Sequence, residues 1–210
     1  MKTIGLFPLG IVIFPGATLP LHIFEARYRA LVEASLKDNT EFGMNFVETA
    51  KMHEIGCTVK ITEVLEKFPD GRMEITVTGM KRYHLHNMRD GDAGYYIGEI
   101  DPFDDDDDEI DVELTIECLE LYNNIVKVVF GAHETLDSLK EVAPTKPSFF
   151  FAQKCGLALE QKQELLEMTS ENTRLKFLKG HMSSILPKVK QVEYIESIIR
   201  SDGYFKPPTM

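Results

Sequence analysis

The chain has 210 residues, of which 43% are hydrophobic and 27% charged, and its formal net charge at pH 7 is −11. A chain of this length buries roughly 70% of its unfolded surface, which suits one large domain or two small ones. No run of the sequence approaches the ~18 consecutive apolar residues of a membrane span. We therefore expect a soluble globular protein with no membrane partner.

The negative charge is concentrated in one segment. Residues 101–113 hold nine of the 34 acidic residues and no Lys or Arg, and the sequence on either side is close to neutral. Proteins that bind nucleic acid generally cluster Lys and Arg to neutralise phosphates. We expect two near-neutral pieces joined by an acidic connector, and no nucleic-acid partner.

The three cysteines, Cys57, Cys118 and Cys155, are far apart and form no C-x-x-C pair. An odd number in this arrangement argues against a disulfide framework or a zinc knuckle. We expect buried thiols and a reducing, cytoplasmic location.

The first structured segment is FPLGIVIFPGATLPLHIFEARYRAL, residues 7–31. It could be a secretory signal, but Pro8, Pro15 and Pro20 each remove a backbone donor, so a continuous helix is excluded there. Short strands and turns are the better interpretation. After Pro20 the apolar residues recur at helical spacing, which predicts an amphipathic helix over residues 23–37 with Phe24 on its apolar face.

Alternating strands follow this helix. A Pro-Asp-Gly turn at residues 69–71 predicts a hairpin, and Gly79 in its returning strand predicts a bulge or a close backbone approach. A last strand ends the β-rich half near Ile100.

The second half has the periodicity of helices. The pattern predicts a helix over residues 111–130, a break over residues 143–148, a short helix capped by Ser148, a helix around residues 159–168, and a pattern from Thr173 to Ile199. Pro187 falls inside the last one, which predicts a kink or two abutting helices. Strands first and helices second indicate an α+β fold, with boundaries at residues 1–103 for the β-rich part, 104–113 for the connector and 114–204 for the helical part.

The segment LFPLGIVIFPGATLPLHIFEARYRALVE, residues 6–33, resembles the start of the N-terminal, substrate-binding domain of ATP-dependent Lon proteases (protease La, peptidase S16). In that family, proline-broken strands lead into L-P-L-x-I-F-E-x-R-Y, which residues 19–28 match. The stretches FGMNFV, EIGCTVKI and FPDGRMEITVTGMKRYHL resemble later family strands and a hairpin ending in G-x-x-R-F/Y. FFFAQKCGLALEQKQELLEM and NTRLKFL resemble its helical part, so the likeness covers about 190 residues.

This resemblance implies a PUA-like, partly open β-barrel with one helix, followed by an α-helical bundle. It also implies a non-catalytic module that binds unfolded or client polypeptides, or docks on a protease or chaperone machine. No G-x-x-x-x-G-K-S/T loop and no Ser-Lys peptidase module occur in the sequence, so we expect neither an enzyme nor a cofactor. Two rival functions stay open: an RNA-binding PUA-like module, and a small-molecule-binding protein or hydrolase.

The candidate polypeptide-binding residues are Leu6, Phe7, Ile11, Ile13 and Phe14, because they exceed what one face of a short strand can bury. The alternative is that they fill the barrel core, above all Ile11 and Ile13. Of the five, Phe14 is expected to be partly exposed, so that Phe14→Ala would cost little stability.

A charged cluster, Glu25 with Arg27 and Arg29, is interpreted as structural ion pairs at the start of the helix. Elsewhere, His84 and His86 share one face of a strand, but two ligands make no recognised zinc signature, so we expect no metal site.

The acidic run Asp104–Asp108 lacks the glycine and the alternating ligands of a calcium loop, so it is expected only to solvate a connector. The pair Ser183 and Ser184 lies in a helical pattern without an evident base, so no nucleophile is predicted.

Overall fold

The structure is a computed structural model that describes residues 1–49, 51–138 and 146–200. It confirms the α+β class, with a strand-rich part followed by helices. The chain divides into two compact units. The β unit comprises Met1–Asp107 and Ala158–Ser170, and the helical unit comprises Asp108–Leu157 and the chain from Glu171 onward. The predicted boundaries, 1–103, 104–113 and 114–204, assign residues 158–170 to the helical part, whereas the contacts of these residues group them with the β unit. They stay a prediction, and residues 201–204 lie outside the described residues.

The β unit contains one sheet of six strands among its described residues: β1 Lys2–Leu6, β2 Thr18–Ile23, β3 Phe42–Met44, β6 Ile55–Lys67, β7 Met73–Asp90 and β8 Tyr96–Pro102. Two short strands, β4 Val47–Glu48 and β5 Lys51–Met52, pair separately. The sheet order is β2-β7-β6-β3-β1-β8, and β7 also pairs with β8. Five strands therefore close into a ring, with β2 attached outside it, which agrees with the barrel that the resemblance implies.

Strand β7 is long enough to pair with β2, β6 and β8, and its residues alternate in polarity. Its side chains at Met73, Ile75 and Val77 are buried, as their period of two predicts. The tight turn before β7 has Gly71 at φ +86°, a conformation that favours glycine. Inside the ring, a cluster of buried apolar residues forms the core: Ile4, Leu6, Tyr83, Leu85 and Ile100.

Helix α1 covers Ala26–Asp38 and ends at Asn39, which adopts the left-handed conformation. The expectation that Phe24 belongs to the apolar face of this helix is wrong. Glu25 is the N-cap residue with extended backbone, so Phe24 precedes the helix and its side chain is 61% exposed.

Helix α4, Leu159–Glu167, belongs to the β unit, and Arg82 of β7 holds its C-terminal end. The buried Arg82 guanidinium donates from one nitrogen to the carbonyls of Leu166 and Met168, both at 2.6 Å. Its other terminal nitrogen pairs with the carboxylate of Asp105. A planar guanidinium with several donors can satisfy three such acceptors at once.

This geometry corrects the expectation that Asp104–Asp108 only solvate a connector. The Asp105 side chain is 12% exposed and neutralises a buried arginine. Asp106 accepts a hydrogen bond from the hydroxyl of Thr169 at 2.8 Å. Asp104 and Asp107 are exposed, so the run mixes structural and solvated carboxylates.

The helical unit contains α2 Val112–Val129, α3 Pro147–Lys154 and α5 Glu171–Arg200, with a short 3-10 turn at Ala132–Glu134. Ser148 is not the cap of α3, whose N-cap is Lys146. It is buried and donates to the Glu171 carboxylate at 2.7 Å, and Arg174 pairs with the same carboxylate at 2.6 Å. This buried network explains why an arginine lies in the leucine-rich start of α5.

Helix α5 is one continuous element that contains Pro187, so the alternative of two abutting helices is excluded, and a kink at Pro187 stays a prediction. The predicted break over residues 143–148 falls largely outside the described residues. Among the helices of the described part, none combines the length and the apolar composition required to cross a membrane.

Phe14 is also a correction, because its side chain is only 2% exposed. Its backbone lies against β7: Gly16 donates to the Gly79 carbonyl at 2.8 Å, and Gly79 donates to the Ala17 carbonyl at 2.9 Å. A Cβ at position 79 would overlap the Phe14 carbonyl oxygen, so Gly79 is the close approach that the sequence predicted. Phe14 belongs to the core and is not available to a partner.

We therefore expect Phe14→Ala to lower the free energy of unfolding by about 3–5 kcal/mol, the usual cost of truncating a buried Phe. Ile11→Ala is the control, because Ile11 is 36% exposed and its truncation should cost under about 1 kcal/mol. Urea denaturation measures both. Equal, small losses of unfolding free energy in the two variants would contradict the burial of Phe14.

The neighbouring aspartates offer a second test. Asp105→Asn removes the carboxylate charge that pairs with the buried Arg82 guanidinium and should lower the free energy of unfolding by about 3 kcal/mol or more. Asp104→Asn changes an exposed residue and should stay within about 0.5 kcal/mol of the parent. If urea denaturation shows the same small change in stability for both variants, the pairing of Asp105 with Arg82 does not stabilise the fold.

Candidate functional site

The structure places four of the five predicted binding residues in the interior. Leu6, Phe7, Ile13 and Phe14 are each at most 5% exposed, and Ile11 alone of the five reaches solvent. Leu6 contributes to the barrel core, and the Phe7 ring packs on Tyr28 with ring centroids 4.0 Å apart. Four of the five side chains therefore lie beneath the surface and are not exposed to a partner.

The segment that follows Phe7 does reach a surface site, an open groove of about 490 Å³ in the β unit. Leu9 is fixed there by parallel pairing with the chain before β4: its amide donates to the Asn45 carbonyl at 3.1 Å, and its carbonyl accepts from Val47 at 2.9 Å. The groove is lined by Pro8, Leu9, Gly10, Glu25, Arg27, Tyr28, Val47, Met52, Met88 and Tyr96. Six separate segments of the chain thus meet around it.

The groove rests on the barrel core through two of its lining residues. Met52 and Tyr96 are partly buried and pack against the core cluster inside the ring. Tyr28 is buried above Phe7, and this burial raises the pKa of its phenol, an effect that the nearby Arg27 guanidinium partly offsets. The Tyr28 hydroxyl is consequently neutral at physiological pH.

One ion pair forms the polar part of the groove. Arg27 contacts the Glu25 carboxylate through both Nε, at 3.0 Å, and a terminal nitrogen, at 2.9 Å. Its guanidinium also lies 4.5 Å from the centroid of the Tyr28 ring. The two charged side chains are about 40% exposed, so they remain accessible from the groove.

Arg29 does not join this pair. Its guanidinium donates to the backbone carbonyl of Asp70 at 2.6 Å, which ties α1 to the turn between β6 and β7. The predicted cluster of Glu25, Arg27 and Arg29 thus divides into an ion pair at the groove and a separate contact to the hairpin.

A second apolar surface lies on β2 and the β6–β7 hairpin, and we call it the Phe24 patch: His22, Phe24, Phe68 and Arg72. The rings of His22 and Phe24 stack with centroids 6.0 Å apart, and His22 meets Phe68 edge-on at 6.3 Å. Arg72 lies over the Phe68 ring at 5.0 Å.

Ser183 and Ser184 are adjacent serines of α5, and the structure gives the surroundings of each. Ser183 shares a shallow cleft of the helical unit with Lys179, but Lys179 pairs with the Glu117 carboxylate at 2.6 Å. That hydrogen bond raises the pKa of Lys179 and keeps it an ammonium ion, which cannot accept a proton. Ser184 donates to the His181 carbonyl at 2.7 Å.

The cysteines are buried, as expected. Cys57, Cys118 and Cys155 are all buried and unpaired by disulfides. Burial raises the pKa of Cys57 to about 12, and burial followed by the charge of Glu117 raises that of Cys118 to about 12. Thiols with pKa values this high are protonated at neutral pH and are therefore poor nucleophiles.

The sequence did not predict the groove residues Met52, Met88 and Tyr96. Met88 lies near the end of β7 and is 38% exposed, while Met52 comes from the very short β5. Neither belongs to a recognisable motif, and the segments meet only because the barrel closes. A large apolar residue at the solvent end of a strand was the one signal available.

Known proteins resemble this chain in sequence and in structure. A family model for the ATP-dependent protease La (LON) substrate-binding domain matches residues 3–184. The Lon protease of Buchnera aphidicola is 26% identical over 197 residues, which cover 87% of this chain and 25% of that protein. The chain thus spans about a quarter of the length of the curated relatives it matches.

Two solved structures are similar. A Lon N-terminal domain protein from Xanthomonas campestris has a TM-score of 0.68 at 25% identity, over 85% of this chain and 97% of that one. The N-terminal domain of Mycobacterium avium complex Lon protease has a TM-score of 0.68 at 18% identity, over 87% and 98%, and shows the shared fold. The resemblance of residues 6–33 is confirmed: this chain belongs to the family of the ATP-dependent protease La (LON) substrate-binding domain.

Proposed function

We propose that this chain binds extended, apolar segments of unfolded polypeptides in the groove beside the Glu25–Arg27 pair. The observation that supports this most directly is an accessible groove with the apolar side chains of Leu9, Met52 and Met88 in its lining, in a chain whose family is a substrate-binding domain. Its volume, about 490 Å³, is in the range of sites that hold a few side chains.

The side chains of the groove suit ligands of varied sequence. Met52 and Met88 are unbranched and polarizable, so they adapt to different partner shapes at little cost. Each Leu or Phe side chain that a client buries contributes about 1.5–3 kcal/mol. The entropic cost of ordering a flexible peptide offsets much of that gain. We therefore propose that the interaction is weak and promiscuous.

The ion pair gives the groove a polar end. Arg27 and Glu25 are half-exposed, and each keeps hydrogen-bonding capacity toward a peptide carbonyl or amide. One positive and one negative charge form no basic stripe, so the groove favours a polypeptide over a nucleic acid.

We further propose that the chain acts by binding and catalyses no reaction. The family that matches is described by substrate binding, and Lys179 is unsuited as a base for Ser183. A cytoplasmic location, and docking to a protease or chaperone machine, are part of the same proposal.

Met88→Asp tests the groove. It places a charge at an apolar position of the lining that is 38% exposed, so binding should weaken at least about tenfold while the fold is retained. The measurement is fluorescence anisotropy of a labelled, permanently unfolded polypeptide, with circular dichroism as the folding check.

Leu65→Asp is the matched control, because Leu65 is 52% exposed on β6 and does not line the groove. It should bind like the parent. Phe24→Asp supplies the alternative, since Phe24 is exposed in the Phe24 patch. Loss of binding in Phe24→Asp with parent-like affinity in Met88→Asp would show that the groove is the wrong surface.

The absence of catalysis is tested with the purified chain, which should hydrolyse neither ATP nor casein above a buffer blank. Turnover that disappears in a single point variant such as Ser183→Ala would contradict the proposal.

A further inference from the structure

The methionines of the β unit differ in their exposure to solvent. Met44 and Met73 are buried, and Met52 is partly buried against the core cluster. Met80 and Met88, both on β7, are 39% and 38% exposed. Among the described methionines that follow the first residue, these two are the ones with exposed side chains. A reagent in solution therefore reaches them before it reaches the others.

The two exposed methionines differ in where they lie. Met88 lines the groove, and Met80 does not. In the pairing of β7 with β8, Met88 lies opposite Gly98, which has no side chain. Directly opposed side chains are the ones that contact each other across neighbouring strands, so nothing on β8 covers the Met88 thioether from straight across. The Met88 sulfur is therefore accessible from the groove.

An accessible thioether reacts with mild two-electron oxidants. Hydrogen peroxide transfers one oxygen atom to the sulfur, which is oxidised to a sulfoxide while the peroxide is reduced to water. No carbon–sulfur bond breaks. The reverse step needs a methionine sulfoxide reductase and a dithiol, which removes the oxygen as water and is itself oxidised to a disulfide. The modification is therefore reversible.

We propose that Met88 is a methionine-oxidation site, at which peroxide weakens the binding of polypeptides by the groove. This inference rests on the proposed function of the groove. Oxidation replaces an apolar, polarizable sulfur with a polar sulfoxide. A client side chain packed on that sulfur then buries the sulfoxide oxygen without giving it a hydrogen bond, which opposes binding.

The cysteines do not compete for the oxidant. Peroxide attacks thiolates, and Cys57, Cys118 and Cys155 are all buried. Burial raises the pKa of Cys57 to about 12, and burial together with the charge of Glu117 raises that of Cys118 to about 12. These two thiols are protonated at neutral pH, so the exposed methionines are the more reactive sulfur sites.

The second methionine of the groove is better protected. Met52 lines the same groove, but it packs against the core cluster. It should therefore be oxidised more slowly than Met88. An oxygen added at Met88 enters space that solvent already reaches, so the barrel should keep its fold after oxidation.

Brief treatment of the purified chain with hydrogen peroxide, followed by peptide mapping in a mass spectrometer, locates the sulfoxides. We expect Met80 and Met88 to be oxidised well before Met44 and Met73. After removal of the peroxide, fluorescence anisotropy measures binding of a labelled, permanently unfolded polypeptide that contains no Met or Cys. Oxidation should weaken this binding at least about fivefold. Methionine sulfoxide reductases for both epimers, supplied with a dithiol, should restore it.

Met88→Leu and Met80→Leu distinguish the two exposed methionines. Leucine is apolar and similar in volume to methionine, and it has no sulfur to oxidise. Each variant is compared with itself before and after peroxide, so any effect of the substitution alone cancels. Met88→Leu should change its affinity by less than about twofold, because its reactive site is gone. Met80→Leu is the matched control and should lose affinity on oxidation as the parent does.

The untreated parent distinguishes this inference from the proposed function. If the untreated parent binds no polypeptide, the proposed function fails and the inference fails with it. If the untreated parent binds, the inference alone is overturned by any of three results: Met88 resists peroxide, its sulfoxide leaves the affinity unchanged, or Met88→Leu loses as much affinity as the parent. Circular dichroism of the oxidised chain checks the fold, and a loss of binding that accompanies unfolding also contradicts the inference.

Discussion

The buried guanidinium of Arg82 is the contact on which the organisation of the β unit depends. It ties β7 to two carbonyls of the α4 end and to one carboxylate of the acidic segment, which are 84, 86 and 23 residues away in the chain. An arginine buried in this way is costly unless every donor is satisfied. The fold satisfies them only when helix, strand and acidic segment are all in place, so Arg82 makes their assembly interdependent.

Closure of the ring extends this constraint to the groove. Strand β7 pairs with β6 and β8 at the same time, which brings Met88 and Tyr96 to one wall. The same closure seals the core cluster on which Tyr96 and Met52 rest. The groove is thus a surface of the closed barrel, and two of its lining residues rest on the barrel core. That combination suits a module that must accept many different segments.

The proposed function depends on one surface of the closed barrel. The groove offers the apolar side chains of Met52 and Met88 and one half-exposed ion pair, which favour varied and weakly bound polypeptides.

The sequence by itself determined the α+β order, the Gly71 turn, the close approach at Gly79 and the family, because period and turn chemistry are local properties and the motifs extend over most of the chain. It placed Phe14 on a surface and Phe24 on a helix face, since alternation cannot say which side of an apolar strand is covered, nor where a helix is capped. Only the tertiary structure decided that Asp105 neutralises Arg82 and that Met52, Met88 and Tyr96 meet. Those contacts join residues far apart in the chain, and no local pattern encodes which distant segments ring closure brings together.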